Sequence, residues 1–212
     1  MATNQLAQQL QPTERQDALI WIDCEMTGLN PDTESILEIF CLITDGQLEL
    51  LDRAGWGVVI HHTKERMSRM DEWCTRVHGE SGLTAAAINS TVTPEEAADG
   101  LLAYIQKHVP EKGAALLAGN SVHADRTFLR MGPYSKVLDH LHYRILDVSS
   151  IKEAAGRWWY VDPQHLSLTP RAAISAPRKQ GLHKAKDDIL ESINEAKYYR
   201  SAIFQKAEAS TH

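Results

Sequence analysis

The sequence predicts an α/β fold: a mixed sheet flanked by helices. Three observations carry this reading. Three apolar runs of strand length sit close together near the start of the chain. No segment between them has the length and pattern of a crossover helix. After them, helical and strand patterns alternate to the end. The chain has 212 residues, of which 43% are hydrophobic and 24% charged, which suits one domain able to bury a core without metal or disulfide staples.

The first strand is Ala18-Leu19-Ile20-Trp21-Ile22, a continuous apolar run expected at the centre of a sheet and ending at Asp23. A second run, Ile36 to Thr44, ends at the turn Asp45-Gly46, and a third covers Gly57-Val58-Val59-Ile60. An antiparallel meander is the simplest way to join them. Thr93-Pro94-Glu95-Glu96 reads as a helix start: a capping hydroxyl, proline in the first turn, and acids at the positive end of the dipole. Ala97, Leu101, Ile105 and Val109 continue at helical spacing until Pro110 and Gly113. A short strand over 114–118 ends in Gly119-Asn120-Ser121. A helix around Asp125–Met131, a strand over Tyr143–Val148 and a helix to about Trp159 follow. The last helix is expected from about Lys186 to Phe204.

A single domain is thus expected over 18–204. The polar residues 1–17 read as a disordered arm without the apolar stretch of a secretory signal, and 205–212 as a disordered tail. Residues 162–182 hold Pro163, Pro170 and Pro177, with Arg171, Arg178 and Lys179, and read as a long basic loop.

Composition excludes several classes of function. Lys and Arg total 22 against 28 Asp and Glu, a formal charge of −6, which argues against gripping long nucleic acid by global charge. Three scattered cysteines form neither a disulfide framework nor a zinc site, and they fit a reducing, intracellular compartment. No apolar run is long enough to span a membrane. There is no His-Glu-x-x-His run, no Gly-x-x-x-x-Gly-Lys loop and no serine-hydrolase elbow.

The chemistry lies in acids at the ends of elements. Asp23 and Glu25 are two apart, so in an extended chain both point to one side of the sheet. Two acids there are costly unless a cation compensates them, and divalent ions favour carboxylate oxygens. Asp125 stands at a helix start, and His183 precedes Asp187 and Asp188 at another. Together Asp23, Glu25, Asp125 and Asp188 suit two divalent ions about 4 Å apart, with His183 positioned to take a proton from water. Taken singly, Asp23 reads equally as a turn residue and Asp125 as a helix-dipole acid. Trp73 reads as a core aromatic at helical spacing from Met70, and Arg144 as half of a surface ion pair.

Four motifs in order add a resemblance. Ile22-Asp23-Cys24-Glu25-Met26-Thr27-Gly28-Leu29 resembles the first motif of the four-acid, His-containing (DEDDh) 3′→5′ exonucleases, and its ending resembles that of oligoribonucleases. Gly119-Asn120-Ser121-Val122-His123-Ala124-Asp125 with Phe128-Leu129 resembles the second motif, and His142 to Ser149 the segment after it. His183-x4-Asp188 resembles the third, although Leu182 and Lys186 depart from the commoner residues. The resemblance spans roughly 18–204.

It implies a ribonuclease-H-like fold and a metal-dependent 3′→5′ exoribonuclease. Such an enzyme would cut short RNA, especially dinucleotides, to mononucleotide 5′-phosphates with Mg²⁺ or Mn²⁺. Asp23, Glu25, Asp125 and Asp188 would be metal ligands and His183 the general base. Asp147 would be a supporting acid rather than a ligand. Leu29 and Trp73 would sandwich the bases, while Ser121, His78, Arg144 and Ser149 would surround the 5′ phosphate. Tyr143 would reach the partner's site in a homodimer. The compartment would be cytoplasm, mitochondrion or both. A DNA-directed exonuclease with the same metal site, and a non-catalytic binding module on the same fold, are the competing readings.

Overall fold

In the computed structural model, residues 17–158 and 185–204 are described. The arm through residue 16, the loop 162–182, His183 and the tail 205–212 lie outside them. The chain runs β1 (Leu19–Met26), β2 (Ile36–Thr44), β3 (Trp56–Val59), α1 (Lys64–Met67), α2 (Glu72–Glu80), α3 (Leu83–Asn89) and α4 (Pro94–His108). It continues with β4 (Leu116–Gly119), α5 (His123–Leu129), α6 (Ser135–His140), β5 (His142–Asp147), α7 (Val148–Trp158) and α8 (Ala185–Tyr199), closing in a π-helical turn at Arg200–Phe204.

The five strands form one mixed sheet in the order β3-β2-β1-β4-β5. The meander holds: β1 pairs antiparallel with β2, and β2 with β3. The later strands β4 and β5 join in parallel after helical crossovers. β1 is central, which explains its unbroken apolar start: Leu19 to Ile22 are all buried.

Alternation along β1 sorts its residues between two cores. Ile20, Ile22 and Cys24 pack with Ala97, Leu101 and Ile105 of α4 and with Phe128 and Leu129 of α5. Leu19 and Trp21 face the other way, against Ile189, Ile193, Ala196 and Tyr199 of α8 and Val148 and Ala155 of α7. A third cluster joins Leu37 of β2 to Met67, Met70, Cys74, Leu83 and Ala87. α4 starts as its sequence requires. The Thr93 side chain accepts from the Glu96 N–H, and the Glu96 side chain accepts from the Thr93 N–H, with Pro94 opening the helix.

Besides the short helix α6, which the sequence reading did not assign, two features depart from the expectation. β1 does not stop at Asp23 but carries Asp23 and Glu25 within the strand, with a register shift against β2 between Glu25 and Met26. The stretch between β3 and α4 holds three short helices that the sequence reading left unassigned. These helices are 4, 9 and 7 residues long, too short for a strong periodic signal. Among the described residues, no helix is long and apolar enough to cross a membrane.

Candidate active site

The strand alternation that buries Leu19 and Trp21 against α8 carries Asp23 and Glu25 out on the same face. There they meet the first turn of α8, which contains Asp187 and Asp188. One carboxylate oxygen each from Asp23, Glu25 and Asp188 lies within 4.8 Å of the other two. Of the two neighbouring acids, Asp188 is the one that joins the cluster.

Asp125 takes a different place. Its helix packs in the opposite core with Cys24, so it approaches β1 from the other layer. Its Oδ1 accepts the Cys24 N–H at 3.0 Å, between the two strand acids. The structure thus gathers three of the four predicted acids within 4.8 Å of one another and holds the fourth on the β1 backbone between two of them. Burial pushes the Asp125 carboxyl up to about 7, against the lowering effect of the Cys24 N–H. Burial also raises Glu25 to about 7, reinforced by the carboxylates of Asp188, Glu38 and Asp125. Glu38 is its directly opposed residue on β2.

Such a cluster of half-buried oxygens is unfavourable by itself, and a hard divalent cation is the group that makes it favourable. The donor set fits Mg²⁺ or Mn²⁺, since all three donors are oxygen and, among the described residues, no cysteine or histidine joins them.

Glu25 also borders a cavity of about 380 Å³ lined by Met26, Gly28, Leu29, Asp71, Trp73, Cys74 and His78. Leu29 is 90% exposed and Trp73 is 53% exposed, so neither ring nor branched chain is core. Trp73 follows the α2 cap, where Asp71 accepts the Cys74 N–H at 2.7 Å. The Leu29 loop is held by a network that the sequence reading missed. Thr27 Oγ1 donates to Glu34 at 2.5 Å, and the Arg66 guanidinium donates to Glu34 at 2.7 Å and to Thr27 at 2.6 Å.

His78 belongs here rather than with the predicted phosphate group. It is buried, its Nε2–H donates to the Met26 carbonyl at 2.9 Å, and its Nδ1 stands 4.0 Å from Glu25. The remaining predicted phosphate residues divide again. Ser121 and Ser149 touch, Oγ to Oγ at 3.1 Å. They line a cavity of about 830 Å³ with His123, Asp147, Lys152, Arg157 and Trp158. Ser121 holds a left-handed backbone (φ 51°), and its N–H donates to both Asp147 Oδ1 and Ser149 Oγ. Asp147 also accepts the Ser149 N–H, so it organises this loop as a supporting acid.

Arg144 opens onto a separate cavity of about 360 Å³ with Glu111, Lys112 and His142. Its guanidinium lies 5.2 Å from the centre of the Tyr143 ring. Tyr143 is 69% exposed on edge strand β5, and its ring stacks on His142 at 4.5 Å. Within one chain Arg144 and Tyr143 therefore stand apart from the serine pair, because β5 carries them along an outer edge. His183 falls outside the described residues, two positions before α8.

A mixed sheet with three carboxylates gathered where its central strand meets a helix start is an arrangement suited to a metal-dependent nuclease. The exonuclease (RNase T) family model matches residues 20–196. A probable oligoribonuclease of Schizosaccharomyces pombe is 45% identical over 86% of this chain and 67% of its own length. An oligoribonuclease of Rhodococcus jostii is 44% identical over 89% of both chains. The solved structure of a moderately thermophilic exonuclease I from Methylocaldum szegediense shares the fold, with a TM-score of 0.62 at 17% identity over 89% of this chain and 41% of its own. The chain belongs to the exonuclease family, among the oligoribonucleases of the DEDDh type.

Proposed function

We propose that this chain removes nucleotides from the 3′ end of short RNA, dinucleotides included, and releases mononucleotide 5′-phosphates. The observation that carries this reading is the placement of the Asp23, Glu25 and Asp188 cluster beside the Leu29 and Trp73 cavity, with Glu25 common to both. Asp23, Glu25 and Asp188, with Asp125 behind them, would hold two Mg²⁺ or Mn²⁺ ions. Bound there, the ions supply Lewis-acid activation of water and charge neutralisation at the scissile phosphate.

The chain's own groups do the rest. His183 takes the proton of the attacking water as the bond from phosphorus to the 3′ oxygen breaks. Leu29 and the Trp73 ring sandwich bases of any identity, since stacking reads a π-face rather than an edge. Ser121 and Ser149 receive the 5′ phosphate and so measure length: a chain continuing past that phosphate meets the loop. In a homodimer, the exposed Tyr143 and Arg144 on edge strand β5 would complete the partner's site.

The test is a rate profile on 5′-phosphorylated ribo-oligomers of rising length, with single-stranded DNA alongside. The dimer should be cut fastest, EDTA should abolish turnover, and Mg²⁺ or Mn²⁺ should restore it. Faster cleavage of long DNA than of the diribonucleotide refutes the proposal, as does full activity in chelator.

A further inference from the structure

Behind the serine pair lies a partly buried polar chain whose members Asn120, Ser192 and Glu195 are not among the site residues read from the sequence. Asn120 is its hub. Its amide Nδ2 donates to Ser192 Oγ at 3.0 Å and to Glu195 Oε2 at 3.0 Å, both on α8. Its Oδ1 accepts the Ser149 hydroxyl at 3.1 Å. Ser192 passes its own proton to the Asp188 carbonyl at 2.8 Å. Glu195 is 3% exposed, and Lys152 lies 3.4 Å from its Oε1.

The direction of every proton in this chain follows from Glu195. A carboxylate only accepts, so the Asn120 amide must present its NH₂ to α8. The reversed amide would set an oxygen 3.0 Å from the Glu195 carboxylate. Asn120 Oδ1 is therefore turned toward Ser149 and takes its single hydroxyl proton. With that proton committed to Asn120, Ser149 Oγ can only accept from Ser121: it receives the Ser121 N–H at 3.0 Å, and the Oγ–Oγ contact of 3.1 Å takes its proton from Ser121. Of the two serines, only Ser121 then holds a proton that can swing to an incoming anion.

We infer that Glu195, acting through Asn120, sets the proton polarity of the serine pair, so that Ser121 donates to the 5′ phosphate and Ser149 serves as its acceptor and anchor. Asn120 and Glu195 are positioning residues. The same amide ties the seat to α8, the helix that carries Asp188 into the acid cluster. The inference rests on the 5′-phosphate reading of the serine pair.

An exchange of donor and acceptor tests it. Asn120→Asp sets two carboxylates against each other, and Glu195→Gln lets the Asn120 amide turn either way. Each single variant should lower discrimination between 5′-phosphorylated and 5′-hydroxyl diribonucleotides, read as the ratio of kcat/KM values, by about tenfold. The double variant again pairs a donor at 195 with an acceptor at 120, which still faces Ser149, and should bring the ratio back to within about threefold of the parent. If Asn120→Asp does not fold, loss in Glu195→Gln and recovery in the double variant remain the required pattern. Additive losses overturn the inference, and so does an equal loss on both substrates, which is what a merely structural role would give. If the parent itself does not discriminate, the 5′-phosphate reading falls and takes the inference with it.

Discussion

Glu25 makes the acid cluster a stability cost that metal relieves. Its carboxyl titrates near 7 rather than 4.5, because burial and the carboxylates of Asp188, Glu38 and Asp125 disfavour its charged form. Its side chain is 14% exposed, so little solvent screens it. Between pH 4.5 and 7 the folded protein holds a proton at Glu25 that the unfolded chain has released. Stability therefore falls as pH rises through that window. The gap between 4.5 and about 7, at about 1.36 kcal/mol for each pH step, amounts to about 3 kcal/mol at pH 8. Glu25→Gln keeps the shape and removes the charge. In EDTA at pH 8 the variant should be more stable than the parent by about 1–3 kcal/mol, and this advantage should vanish below pH 4.5. Adding Mg²⁺ or Mn²⁺ at pH 8 should stabilise the parent more than the variant, because only the parent offers the full ligand set. Urea denaturation at several pH values, with and without metal, measures all three. A variant no more stable than the parent at pH 8 in EDTA, or a parent whose stability does not fall from pH 5 to 8, refutes the reasoning.

Trp73→Ala should raise KM for a diribonucleotide by roughly 5- to 150-fold, the equivalent of about 1–3 kcal/mol of stacking, while Tm barely moves because the ring is half exposed. Unchanged KM would place the bases elsewhere. Tyr143→Ala should lower activity and leave the unfolding free energy nearly constant; light scattering on the parent should show a dimer, and a fully active monomer would remove Tyr143 from the site. Thr93→Ala removes a cap bonded in both directions and should cost about 1 kcal/mol in urea denaturation, with no effect on rate. Binding of a diribonucleotide should weaken only slightly with salt, in line with the few phosphates it carries, and a steep slope would contradict a short substrate.

Legibility varied with how local the determinants are. The Thr93-Pro94-Glu95-Glu96 start was readable because a capping box is written within four consecutive residues. β1 was readable because a strand buried on both faces must be apolar throughout, and the shared side of Asp23 and Glu25 follows from a period of two. The short helices between β3 and α4 were not, since a helix of one or two turns leaves no periodicity, and their place is set by packing on Leu37. The resemblance groups His78, Ser121, Ser149 and Arg144 around one phosphate; within one chain they line three cavities, because a resemblance along the chain does not say which sheet edge or layer an element occupies. The Asn120–Glu195 contact joins residues 75 apart and had no local signal.

By itself the sequence determined the acid types, the helix-start places of Asp125 and Asp188 and the alternation that faces Asp23 and Glu25 together, all consequences of short-range backbone geometry. The tertiary structure decided that Asp188 closes the cluster while Asp125 bonds the Cys24 amide from the other layer. It also placed the buried Glu195 carboxylate of α8 against the Asn120 amide, whose oxygen accepts the hydroxyl of Ser149 in the first turn of α7. Those outcomes depend on which helix packs on which face of β1. The pairing of apolar surfaces across the whole chain settles that, and no single stretch of residues contains it.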